Sequence, residues 1–315
     1  MARVRVFEAA AEGFRLIGRE PKAVLVWSAA LFVLMGLPAI FMVQQLAPVF
    51  ASMSVAMDDE SGEAMMLAMG RMFAIMPLAY LIMIVGYTVV GGAVLRAVIA
   101  PSDRRYFYLR VSSAEGWMAL SAVVGIILAY IASALLLFIG SLVIILPIAF
   151  LAAAAGGVGD AFSGVHWVLV LGIFAFEIAM AYLWLRFSMA PIISFDERRF
   201  RLFESWAFTR GAGWSIFWLV LLLTVVIVVV ECVVIAVAFA GVGAAMLQSM
   251  QDPAASGEMM LQLAKLYASP SIWGVMAVGY LLSGPAMALC IAPFARVYLM
   301  LKPAPAEEPG LVATV

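Results

Sequence analysis

Four charged residues lie inside long apolar runs, where each must either do chemistry or find a partner: Glu177, Glu231, Arg96 and Arg186. An ionised acid at the centre of a membrane helix costs about 2.5–3.5 kcal/mol on insertion scales, so each glutamate needs a cation, water or a proton. Two carboxyls at similar depth on successive helices could share a proton, as a proton-coupled carrier requires. The plainer reading is a protonated Glu that hydrogen-bonds to a neighbouring helix. The arginines belong to two copies of one pattern. Leu95-Arg96-Ala97-Val98-Ile99-Ala100-Pro101 returns ninety residues later as Leu185-Arg186-Phe187-Ser188-Met189-Ala190-Pro191. Each copy leads into charge, Asp103-Arg104-Arg105 or Asp196-Glu197-Arg198-Arg199, and a reduced copy, Cys290-Ile291-Ala292-Pro293, has Arg296 behind its proline. Proline ends a span at the interface, and an arginine one turn earlier snorkels its guanidinium to lipid phosphates. The functional alternative is a polar site where the cassettes meet and Arg96 and Arg186 bind an anionic headgroup or substrate.

Composition sets the frame for these residues. Hydrophobic residues make up 66% of the chain, charged residues 12%, and the mean hydropathy is +1.13, a balance that would leave a soluble domain covered in apolar patches. Apolar stretches predict six membrane helices at about 24–46, 73–100, 118–150, 165–190, 214–246 and 271–298. The fold expected is all-α and polytopic. Sixteen of the eighteen Lys and Arg fall on one side, with only Arg71 and Lys265 on the other. The positive-inside rule then puts both termini and the cassette loops in the cytoplasm of a bacterial inner membrane. A first apolar segment this long, with no small-residue cleavage pattern, reads as a span and not as a removable signal peptide.

The Ala-Pro sites divide the chain into three hairpins in parallel orientation, about 1–101, 102–191 and 192–298, within a single membrane domain 1–301. A Pro-rich cytoplasmic tail, 302–315, follows. The outer loops agree with this register: Ser61-Gly62-Glu63 stands forty residues before Pro101, and Ser256-Gly257-Glu258 thirty-seven before Pro293. Each hairpin opens on a charged amphipathic segment expected to lie in the headgroup plane: Phe7–Pro21, Arg104–Trp117 and Arg198–Trp214. Trp117 and Trp214 suit the aromatic belt. Anionic lipid headgroups are the expected partners, with membrane proteins as further candidates.

A resemblance rests on the middle cassette. Arg186, Ala190-Pro191, Glu197, Ser205-Trp206, Thr209-Arg210-Gly211 and Trp214 resemble the bacterial glycerophosphoryl diester phosphodiesterase membrane-domain family and the related YciC-like inner-membrane proteins. In that family an Arg and an Ala-Pro end one span, and a Ser-Trp, Leu-Thr-Arg/Lys-Gly, Trp run leads into the next. Phe208 stands where the family has Leu. The match covers about thirty residues. It implies a membrane part alone, because the chain ends shortly after its last span, and so it implies no phosphodiesterase activity.

No other pattern promises a reaction. The sequence has no His-Glu-x-x-His, Gly-x-Ser-x-Gly or Walker loop, so no enzyme and no cofactor is expected. His166 is the only histidine, and Cys232 and Cys290 fall in different spans; neither a metal site nor a disulfide is expected. Seven methionines between Met53 and Met76 admit Cu(I) in principle but suit an adaptable apolar surface better. The basic residues hug the membrane among acids, which argues against nucleic acid.

Overall fold

The structure, a computed structural model, describes residues 4–56, 63–140, 172, 174, 176–239 and 256–303. Every regular element among the described residues is helical, as continuous apolar runs in lipid require. In chain order the helices are α1 (Val6–Arg19), α2 (Pro21–Leu31), α3 (Leu37–Ala56), α4 (Glu63–Ile99), α5 (Ser113–Gly140), α6 (176–187), α7 (Ala190–Glu197), α8 (Glu204–Phe208), α9 (Gly213–Phe239), α10 (Ser256–Ala268) and α11 (Pro270–Leu301). Among the described residues, five stretches are long and apolar enough to cross a membrane: Pro21–Met53, Met69–Ile99, Arg105–Leu136, Phe176–Glu197 and Gly274–Leu301. The chain is therefore a multi-pass helical membrane protein. Helix α9, Gly213–Phe239, carries a further apolar segment, Gly213–Val229 among the described residues. His166, Ser61-Gly62, the tail from residue 304 and the outer parts of three expected spans lie outside the described residues.

The chain divides into two compact units. One joins Val4–Val111 to Trp218–Val315 and so brings the first and last thirds of the chain together. Small residues make this possible. Gly284 of α11 sits so close to α2 that a β-carbon there would meet the Val24 carbonyl oxygen at 2.5 Å and the Ser28 nitrogen at 2.8 Å. Ser28 then donates its hydroxyl to the Leu281 carbonyl at 2.7 Å, a cross-helix bond of the kind that small-residue crossings allow. Gly13 of α1 approaches the Leu289 backbone in the same way. The stripe Ala9, Glu12, Gly13 and Leu16 is buried, while Phe7 and Phe14 are exposed, so α1 is the amphipathic helix its spacing predicts. Farther along, Phe50 of α3 stacks on Tyr267 of α10 with centroids 5.2 Å apart. Between α2 and α3, Phe32–Gly36 forms a π-helical turn.

The other unit is built on 112–217. It opens on a capping box: Ser112 donates its N–H (2.8 Å) and hydroxyl (2.6 Å) to Glu115, and its Oγ accepts the Ala114 N–H at 3.3 Å. Helix α5 packs on α7, whose Ala190, Ile192, Ile193 and Phe195 are buried.

The three Ala-Pro sites differ in what they do. Ala100-Pro101 follows the last turn of α4, as expected of a proline that ends a span. Pro191 instead starts a helix: α6 stops at a two-residue turn, and proline occupies the first turn of α7, where its missing N–H costs nothing. Pro293 lies within α11, which runs on to Leu301. Neighbouring helices allow proline in such a position. A second expectation also changes. The segment from Arg104 to Trp117 is no amphipathic helix in the headgroup plane, because a tight turn at Arg105–Tyr108 and a non-helical stretch 109–112 precede α5.

Candidate functional site

That turn is the most strained backbone in the described chain. Tyr106, Phe107 and Tyr108 have φ of 51°, 56° and 67°. Left-handed conformation costs a side-chain-bearing residue about 1–2 kcal/mol, and three bulky aromatics in succession persist only if the surroundings impose them. The surroundings here do so from several directions. Trp27, fully buried on α2, donates its indole N–H to the Phe107 carbonyl at 2.9 Å. Arg96 Nη1 donates to the carbonyls of Tyr108 at 2.8 Å and Arg110 at 3.2 Å. The Tyr108 ring is 1% exposed and meets Trp27 edge-on, with centroids 6.5 Å apart. Its hydroxyl donates to the Pro101 carbonyl at 3.3 Å. Arg104 pairs with Glu20, and Arg110 with Asp103 at 2.7 Å.

This arrangement corrects the expectation for Arg96. The residue is 3% exposed, so its guanidinium does not snorkel to a phosphate and presents nothing to a headgroup. It clamps carbonyls that the left-handed turn leaves outside any helix, and a single nitrogen, Nη1, serves two of them at once. Arg105, Tyr106 and Phe107 are pushed outward by the same turn and are exposed.

The second cassette is built differently. Arg186, on the last turn of α6, donates Nη2 to the Tyr182 hydroxyl at 2.9 Å. Its Cζ lies 5.0 Å from the Tyr182 ring centroid and 5.3 Å from that of Trp206, in cation–π range of both. Nε and Nη1 are buried and have no hydrogen-bond partner among the described residues. Ser205 and Trp206 of the Ser-Trp…Thr run meet the same arginine, and Thr209 holds Ser205. Ser205 donates its hydroxyl to the Arg186 carbonyl at 2.7 Å, and Thr209 donates to the Ser205 carbonyl at 2.9 Å. Both are fully buried. Gly211, at φ +86°, makes the turn into α9, and Trp214 projects from its first turn, 76% exposed. Arg210 is exposed. Tyr182, four residues before Arg186 on the same helix, completes the cluster, and its i,i+4 spacing is the sequence signal that could have found it.

The acids do not form a site among the described residues. Glu177 is exposed on α6, whereas the Glu231 side chain lies outside what the structure describes. Charge elsewhere is mostly paired. Arg201 bridges Glu197 at 2.9 Å and Glu204 at 2.7 Å, and its hydrogen bond holds the Glu204 carboxyl below the usual carboxylate range. Arg105, Arg198 and Arg199 are exposed without an ion pair among the described residues. No group of three metal-binding side chains occurs among the described residues.

One ion pair has a pH signature. Arg296 of α11 donates to Glu8 of α1 at 2.7 Å, and that hydrogen bond, helped by the Arg5 charge, holds the Glu8 carboxyl below its ordinary range. A carboxyl with a depressed folded-state pKa stabilises the fold above its unfolded pKa, and that contribution is lost as pH falls through the folded value. Thermal unfolding in detergent should therefore show a midpoint that drops below the ordinary carboxylate range. The drop should be smaller in Glu8→Gln, and an identical profile in the two proteins would refute the assignment.

No protein-family model, curated protein or solved structure matches the chain.

Proposed function

We propose that the protein is a lipid-interacting structural or regulatory component of a bacterial inner membrane, with no catalytic activity of its own. In this reading six spans form three parallel hairpins, and both termini and the Ala-Pro ends face the cytoplasm. The observation that carries it is the strained turn. Backbone strain is maintained by Arg96, Trp27 and Tyr108 beneath, and the outcome is that Arg105, Tyr106 and Phe107 stand together on the surface. A cation beside two aromatic rings suits the boundary between headgroups and acyl chains. The exposed pair Arg198-Arg199, with Arg198 itself left-handed at the end of α7, supports the same reading from the second cassette.

Each basic residue near an anionic leaflet contributes about 1 kcal/mol of attraction. Changing Arg105, Arg198 and Arg199 together to Gln should therefore remove most of the anionic phospholipid that co-purifies in native lipid particles, with folding unchanged. Undiminished anionic lipid in that variant, or turnover of any glycerophosphodiester by the wild type, would overturn the proposal. A carrier using Glu177 and Glu231 is the second reading, favoured by the exposure of Glu177 beside exposed Phe174 and Ile178 on an apolar helix. It requires a pH-dependent flux that Glu177→Gln abolishes.

A further inference from the structure

The two cassette arginines occupy matching sequence positions, and they differ in where their donors go. Arg96 spends its donors on the carbonyls of a turn. Arg186 has no such turn beside it. Its guanidinium is sandwiched near two aromatic rings, Tyr182 supplies the one acceptor, and Nε and Nη1 are buried without one among the described residues. A buried donor on a cation left without an acceptor is costly, more so in the low dielectric of a membrane. Next to it runs an apolar groove between α5 and α6. Small residues at helical spacing on α5, Gly125, Ala129 and Ala132, form one wall, and Leu183, Trp184 and Phe187 of α6 form the other. Phe187 links the two features, since it lines the groove and packs on Trp206 with centroids 5.9 Å apart.

A ligand with an apolar tail and an anionic head fits both features. We infer that this unit holds one anionic phospholipid, with an acyl chain in the α5–α6 groove and its phosphate on Arg186. The phosphate supplies the acceptor that Nε and Nη1 lack, and the half-exposed Tyr182 side chain swings aside to admit it. Trp206 stays as the flat surface under the guanidinium. The inference deepens the lipid-interacting reading and rests on it, but it concerns one specific site and not general attraction to a charged leaflet.

The test uses the full-length protein in lipid nanodiscs of phosphatidylcholine, with and without phosphatidylglycerol whose acyl chains are brominated. Bromine should quench Trp184, read as the difference between wild type and Trp184→Phe, and bound lipid should be counted by native mass spectrometry. The wild type should retain one phosphatidylglycerol. Arg186→Gln should weaken retention about tenfold or more, as expected for a charge-assisted hydrogen bond lost. Trp184 is 47% exposed, so bulk lipid quenches it as well; Ala129→Phe, which fills the groove, should lower the quenching to the level of Arg186→Gln. The primary readout is therefore the excess quenching of wild type over Arg186→Gln, and equal quenching in the two overturns the inference.

No quenching of Trp184 by the brominated lipid overturns the inference. So does displacement of the lipid signal by millimolar inorganic phosphate equally in wild type and Ala129→Phe, which would mark a site for soluble anions. If the Arg105, Arg198 and Arg199 variant loses bulk anionic lipid while Arg186→Gln keeps its bound lipid, this inference fails and the broader reading stands. If neither variant loses lipid, both fail.

Discussion

Arg96→Ala should be the most damaging single substitution at the Ala-Pro ends, lowering stability by about 3 kcal/mol or more. Two hydrogen bonds from a buried cation disappear, each worth about 1.5–3 kcal/mol, and the carbonyls of Tyr108 and Arg110 lose that donor. The larger effect is on the turn, because three left-handed aromatic residues then lose one of the forces that impose their conformation. Arg96→Lys should recover little. A lysine brings the charge, but its flexible and shorter stem does not hold an ammonium where the rigid guanidinium places Nη1 between the two carbonyls. The measurement is the thermal unfolding midpoint in detergent by fluorescence-detected size exclusion. A near-wild-type midpoint for Arg96→Ala would show that the turn holds itself. In contrast, Arg186→Gln is expected to lower the midpoint less, since it removes one exposed hydrogen bond to Tyr182 and two ring contacts, while Nε and Nη1 already lack acceptors among the described residues.

Gly284→Leu should prevent α2 and α11 from closing on each other. A single β-carbon at this position would already stand closer to Val24 and Ser28 backbone atoms than van der Waals contact permits, and those atoms cannot move without opening the helix pair. Overpacking costs about 1–3 kcal/mol, occasionally more, and the Ser28 to Leu281 hydrogen bond is lost with it. Gly274→Leu and Gly279→Leu provide matched controls on the same helix, because a β-carbon at either position would meet nothing within 4 Å. Folded yield and unfolding midpoint should fall only for Gly284→Leu. If all three behave alike, the close approach is not what joins the first and last thirds of the chain.

Several features of this fold could be read from residue type and spacing, for reasons that also set the limit. Helical spans follow from long apolar runs, since lipid leaves the backbone no other way to satisfy its hydrogen bonds. The amphipathic α1 follows from Phe7, Phe14 and the buried stripe between them. The end of α4 follows from Pro101. The tight turn at 105–108 does not, because nothing in Tyr-Phe-Tyr favours left-handed backbone; these side chains ordinarily disfavour it. Its conformation is imposed by Trp27 and Arg96, which come from different helices. The same limit explains the prolines. A proline's local effect is constant, but whether a helix continues through it depends on the neighbours that receive the freed carbonyl, and Pro293 lies where α11 does continue. For the candidate site, the run from Arg186 to Trp214 is recognisable as a pattern. That Trp206 meets the Arg186 guanidinium while Ser205 bonds the Arg186 carbonyl is a property of packing.

The π-helical turn at Phe32–Gly36 bears on how one long apolar stretch meets two different neighbours. Its wider ring, closed by the Leu37 N–H on the Phe32 carbonyl, amounts to one extra residue slipped into the spiral. Each residue advances an α-helix by about 100°, so that insertion works as a swivel. It lets α2 aim Ser28 at α11 while α3 aims Phe50 at Tyr267 of α10. Deleting one residue between 32 and 36 would restore an unbroken spiral and rotate everything beyond it by the same amount, carrying Phe50 off its stacking partner. The length of this segment, counted to the residue, is thus a part of the protein's design that hydropathy alone would treat as free to vary.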